Sequence, residues 1–110
     1  MSYQKSNNRE LWGLRDWIVM QIRANPERCW RIITGLDFQP DGPSRVKASC
    51  PFHDDRTPSF KVSTYNRFPG RFKCFSCGRS GDIFSFLEDL YSLNFIEAVQ
   101  RACELLKGGG

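Results

Sequence analysis

The chain has 110 residues, 40% hydrophobic and 25% charged, one domain's worth of an ordinary globular composition, which argues against a disordered chain. No apolar run approaches the ~20 residues that span a bilayer, and Met1-Ser2-Tyr3-Gln4-Lys5 leads into no signal-peptide core, so a cytoplasmic protein is expected. The net charge of +4 is unevenly spread: residues 56–81 carry Arg56, Lys61, Arg67, Arg71, Lys73 and Arg79 and no acid, a footprint suited to a polyanion, with a solvated basic face as the plainer alternative.

The first expected element is a helix from Asn7 to Ala24. Asn7 and Glu10 fit a capping box, and Leu11, Leu14, Ile18 and Ile22 recur at helical spacing, with Trp12 and Trp17 beside them. Asn25-Pro26 ends that helix and opens a second, with Asn25 as N-cap and Pro26 in the first turn. The second helix carries Cys29, Trp30, Ile32 and Ile33, and Gly35 suits its C-terminal stop. Leu36–Gln39 and Arg45–Ser49 read as short strands around the turn residues Pro40-Asp41-Gly42-Pro43. Phe60–Thr64 and Arg71–Phe75 read as two more, joined by a loop containing Asn66 and Pro69-Gly70. The period then changes. Asp82 caps an expected helix through Tyr91, and Asn94 with Glu97 forms a capping box for a last helix to about Lys107. The final Gly108-Gly109-Gly110 reads as a frayed tail. The fold class expected is α+β, a small antiparallel sheet flanked by helices at both ends. Its expected divisions are a helical extension at 1–24, a domain at 25–107 and a disordered tail at 108–110.

Five cysteines is an odd number, unlike a secreted disulfide framework. Cys50-Pro51-Phe52-His53 is a C-x-x-H pair and Cys74-Phe75-Ser76-Cys77 a C-x-x-C pair. Two short-spaced pairs on separate turns, brought together by a hairpin, supply the four ligands of a tetrahedral site. Three thiolates and one imidazole suit Zn²⁺, and four protein ligands leave no open position, so one structural zinc is expected. A redox or iron–sulfur pair competes weakly, because a thioredoxin-like C-x-x-C wants a βαβ context. Gly78 permits the left-handed turn after Cys77. Cys29 and Cys103 stand outside the pattern and read as small buried hydrophobes.

Residues 50–60, CPFHDDRTPSF, and 72–87, FKCFSCGRSGDIFSFL, resemble the Cys-His-Cys-Cys zinc-binding domain at the front of bacterial-type DNA primases. The resemblance runs from about Cys29 to Leu106. It implies a zinc ribbon that binds single-stranded template DNA and helps choose where a primer starts. It also implies a partner: a catalytic primase or polymerase region, or a replication helicase, in the same or another chain. The tryptophan-rich first 24 residues depart from the family's short N-terminus. The clustered carboxylates of the family's catalytic region are not matched by Asp54-Asp55 or Glu88-Asp89. The chain is therefore expected to be a non-catalytic fragment of a primase or a free-standing relative from a phage or mobile element.

Strand alternation puts Phe60, Val62, Phe72 and Cys74 on one sheet face. Lys61, Arg71 and Lys73 fall on the other, beside Phe75: cations for phosphates and a ring for a base. Arg56 and Arg79 flank the two knuckles, where they can contact phosphate or offset the negative zinc–thiolate centre. The hydroxyls of Thr57-Pro58-Ser59 can contact phosphate, or the segment can simply be a turn. The competing function is a protein-interaction module that recruits a replication or mobile-element protein, with Trp12, Trp17 and Trp30 as candidate anchors or as core.

Overall fold

A computed structural model describes residues 3–54, 56–65 and 69–108. Asp55, Asn66 and Arg67, named above, lie outside them, as do Gly109 and Gly110. The described elements are α1 (Tyr3–Ala24), α2 (Pro26–Thr34), β1 (Gln39–Pro40), β2 (Arg45–Ala48), β3 (Phe60–Ser63), β4 (Phe72–Cys74), β5 (Ser80–Gly81), α3 (Ile83–Tyr91) and α4 (Phe95–Gly108). The strands form one antiparallel sheet in the order β1-β2-β3-β4-β5. The class is α+β, as expected. No helix among the described residues is long and apolar enough to cross a membrane.

Local chemistry sets most boundaries. The Asn25 side chain accepts the Arg28 N–H at 3.2 Å, Pro26 fills the first turn of α2, and Gly35 ends it in the left-handed conformation. Asp82 caps α3 by accepting the Ser85 N–H at 2.9 Å. Asn94 and Glu97 form the reciprocal capping box, with bonds of 3.0 and 2.8 Å. The first capping box is a correction: α1 begins at Tyr3, so Asn7 lies inside the helix. The first strand is another. Arg31 of α2 donates to the Phe38 carbonyl and Phe38 is buried, so the chain before Gln39 is tied to α2 and pairing starts only at Gln39–Pro40. Pro40 is tolerated there because β1 is an edge. Strand β5 was not expected, since Ser80-Gly81 has too little apolar pattern to announce a strand; it pairs Phe72↔Gly81 and Lys73↔Ser80.

Trp30 is the centre of the core. It is fully buried, and its ring lies 5.2–6.4 Å from those of Phe86, Phe72, Phe60 and Phe38. Its indole N–H donates to the Gly70 carbonyl at 3.0 Å, which satisfies the one polar atom the ring buries. Gly70 has φ +86°, and a Cβ there would stand 2.2 Å from Ile22 Cγ2. Only glycine lets the turn before β4 close this tightly on α1. Helix α1 packs on α2 and α4. Lys107 lies over the Trp17 ring at 5.5 Å, and Trp12 meets Phe95 at 5.9 Å. The three tryptophans thus differ: Trp30 is core, Trp17 is half-buried, and Trp12 is 54% exposed.

Candidate metal centre and basic sheet face

Sγ of Cys50, Cys74 and Cys77 and a ring nitrogen of His53 lie within 4.8 Å of one another. Among the described residues this is the one such cluster of potential ligands. Strand β3 is what joins the two turns: it pairs with β2 ahead of Cys50 and with β4 at Cys74, and the register sets Phe60 against Cys74. The second turn is closed by the Gly78 N–H on the Cys74 carbonyl at 2.8 Å and the Cys74 N–H on the Arg79 carbonyl at 2.8 Å. Gly78 takes φ +82°, the left-handed conformation the sequence suggested. The group is suited to holding one zinc ion, through three thiolates and a neutral imidazole.

The surroundings favour the charged form of one thiol in particular. Burial pushes the Cys74 thiol up, but donors outweigh it and bring it down to about 6. These are His53, with Nε2 3.4 Å from Sγ, the Ser59 hydroxyl at 3.5 Å, and the Cys77 and Ser76 backbone N–H groups. Cys50 goes the other way. Burial and the neighbouring Cys74 and Cys77 push it up to about 12, against the Phe52 N–H. A divalent cation at the centre reverses that repulsion, so metal binding and thiol deprotonation are coupled. His53 Nδ1 lies 3.3 Å from the Asp54 carbonyl, a contact that orients the ring. Ser59 is an outer partner that the sequence did not reveal. Its buried hydroxyl accepts from Ser76 Oγ at 2.8 Å and faces the sulfur, so it is turned inward rather than toward solvent. The signal was its place directly before β3. Cys29 and Cys103 are buried in α2 and α4, outside the cluster, and burial raises the Cys29 thiol.

The outer face of the sheet follows the alternation. Phe60, Val62, Phe72 and Cys74 are buried, and Lys61 and Lys73 stand directly opposite each other on the other face. Register adds a residue the sequence reading left out: Lys47 pairs with Lys61, so Lys47, Lys61 and Lys73 form one row across β2, β3 and β4. Phe75 is 57% exposed, and the Lys61 and Lys73 ammonium groups lie 5.4 and 5.5 Å from its centroid. Asp41 lies against this row. It pairs with Lys61 at 2.9 Å and Arg45 at 3.5 Å. The Lys61 hydrogen bond chiefly, with Arg45 and Lys47 adding to it, holds its carboxyl below the usual carboxylate range.

The other expected cations are placed differently. Arg71, one residue before β4, lines a groove with residues of α1 and the start of α3. Arg79 stacks over Phe52 at 4.6 Å and reaches Asp89 at 3.7 Å. Arg56 is exposed on the loop after His53, as is Thr57.

The sequence profile of the CHC2 zinc finger family, a DnaG-type zinc ribbon, matches residues 37–108. A DNA primase of Mycolicibacterium smegmatis is 42% identical over 59 residues, 54% of this chain and 9% of the relative. One of Deinococcus radiodurans is 40% identical over 65 residues, 59% of this chain and 11% of the relative. The chain therefore spans about a tenth of the length of these primases. Among solved structures, the zinc-binding and RNA polymerase domains of the Aquifex aeolicus primase match with a TM-score of 0.60 and 32% identity, covering 81% of this chain and 20% of that one.

Proposed function

The chain belongs to the CHC2 zinc finger family, and on that premise we propose that it is a template-recognition module that acts in primer synthesis in the cytoplasm. One zinc held by Cys50, His53, Cys74 and Cys77 fixes the two knuckles. It thereby fixes the ends of β2 and β4, and the sheet face between them receives single-stranded DNA. The catalytic step falls to a primase or polymerase region, in the same chain or another. The observation that carries this reading is the row of Lys47, Lys61 and Lys73 beside the exposed ring of Phe75. The cations are spaced along the inter-strand direction, where neighbouring strands stand about 4.8 Å apart. Phosphates of an extended strand can be met successively, and a base can stack on the ring, a contact worth about 1–3 kcal/mol.

The test is a titration with single-stranded DNA at low and physiological salt, using the parent and a Lys47→Ala/Lys61→Ala/Lys73→Ala variant. Three phosphate contacts predict a log–log salt slope of about −2, from about −0.7 per contact. The variant should keep its zinc and lose both affinity and most of that slope. Undiminished binding by a zinc-loaded variant would remove this face as the DNA site. No binding by the parent even at low salt, together with capture of a replication protein through the exposed Trp12, would favour an interaction module instead.

A further inference from the structure

Two arginines of α1 without a role so far, Arg15 and Arg23, line the same groove as Arg71. A groove of about 200 Å³ opens between α1, the residues just before β4 and the start of α3. Its floor is apolar, built from Val19, Ile22, Ile83 and Phe84, and Arg15, Arg23 and Arg71 also line it. Through Arg23 and Pro69 it continues into a more open hollow of about 390 Å³ that holds Thr64 and Tyr65. The close approach at Gly70, where a side chain would collide with Ile22, is what brings α1 and this turn together. Residues 1–36 lie outside the profile match, so two of the three cations come from a part of the chain that the profile does not cover.

The charges in the groove do not cancel. Among the described residues, neither the Arg23 nor the Arg71 guanidinium has a carboxylate partner. Arg15 pairs with Asp16 at 3.0 Å and lies over the Trp12 ring at 5.6 Å, but both partners are exposed, and such surface contacts hold weakly. Among the described residues Asp82 is the one acid lining the groove, and its Oδ1 already accepts from Ser85 as the cap of α3. Three guanidiniums against Asp82 and the Asp16 that pairs with Arg15 leave an excess of one positive charge (3 − 2). Holding like charges together over an apolar floor is unfavourable until an anion joins them. Planar, forked guanidiniums match phosphate oxygens better than lysines do. Tyr65 adds a ring that is 72% exposed, available for a base to stack on.

We propose that this groove binds a single nucleotide unit, its phosphates on Arg15, Arg23 and Arg71 and its base against Tyr65. The site is separate from the lysine row and stands whether or not that face binds DNA. The unit has two possible sources with the same chemistry: a free nucleoside triphosphate, or one nucleotide of a single strand.

Amide spectra of the zinc-loaded chain test this, with GTP, inorganic triphosphate and a short oligothymidylate as probes. GTP or the oligonucleotide should shift the amides of Val19, Ile22, Asp82 and Ile83 saturably. Arg15→Ala/Arg23→Ala should weaken that binding by about tenfold or more, as expected for losing two charge-assisted contacts. The triple lysine variant should leave these shifts in place. Shifts with GTP alone identify a free nucleotide as the ligand, and shifts with the oligonucleotide alone identify a strand. Inorganic triphosphate matching GTP would overturn the role of Tyr65 and, with it, the nucleotide assignment. No saturable shift with any probe, or unchanged affinity in the double variant, would overturn the proposal altogether. Should the double variant lose its zinc or its native spectrum, Arg71→Gln on the opposite wall replaces it, with the same expected loss.

Discussion

The two ends of this molecule hold the same sheet by different means. At the helical end, Trp30 gathers four phenylalanines and every large side chain of the contact is buried. At the knuckle end, residues 75–80 are all exposed. What gathers the chain there is a set of sulfur and imidazole ligands with hydrogen bonds of 2.8–3.5 Å around Cys74. Apolar burial is non-directional and tolerates adjustment, whereas a four-ligand site demands defined directions. The end that meets solvent therefore obtains from a metal the rigidity that the other end obtains from packing.

The largest way to break the comparison is to remove a ligand. Cys74→Ser should abolish the one equivalent of zinc expected per chain, as read by elemental analysis, because structural zinc sites of this type contribute about 10–16 kcal/mol when metal-loaded. Amide protection should be lost in β3, β4 and the knuckles first. The same substitution at Cys29 or Cys103 should leave zinc stoichiometry at one. A metal-free Cys74→Ser protein with full protection in β4 would show that packing alone holds the sheet.

Trp30→Ala attacks the opposite end. It should cost about 3–5 kcal/mol in denaturant unfolding, as expected for a large aromatic removed from a core, and it strands the Gly70 carbonyl besides. Zinc should still bind, more weakly, since the ligands need only the hairpin. A loss well under 1 kcal/mol would mean that the aromatic cluster is not the seat of stability.

Acid should separate the two ends without mutation. The folded value of Cys74, about 6, lies below that of an ordinary thiol. A lowered value means that the thiolate's contribution is fully present above the unfolded pKa and is lost as the pH falls through the folded one. Zinc lowers the value further, so zinc should be retained at pH 7 and released only as the pH drops below about 6. A chromogenic chelator in a pH series reads this directly. Release that begins near pH 8 would contradict the donor arrangement around Cys74.

The smallest expected effect concerns the sheet face. Asp41 pairs with Lys61 and Arg45, so on the proposed DNA face it would compete with phosphate for both. Asp41→Asn should raise affinity for single-stranded DNA by about two- to threefold at low salt, and by less at physiological salt, where screening is stronger. A fall in affinity would indicate instead that Asp41 positions Lys61 for its ligand.

Much of this was legible in the chain. The ligand set followed from two C-x-x pairs, because a tetrahedral metal constrains spacing as tightly as it constrains geometry. Three of the four helix starts were readable from Asn25, Asp82 and Asn94, because caps act within one turn of the backbone. The alternation in β3 and β4 separated buried from exposed side chains in advance, for the same local reason. Properties that depend on which strands meet were not legible. Lys47 joins Lys61 and Lys73 only through register, Ser59 becomes a partner of Cys74 only across β3 and β4, and Arg71 meets Arg15 and Arg23 of α1 only in the groove they line together. Local patterns name the ligands and the faces because their physics is confined to a few neighbouring residues. Where charges from distant segments converge is decided by packing, which no short window of sequence contains.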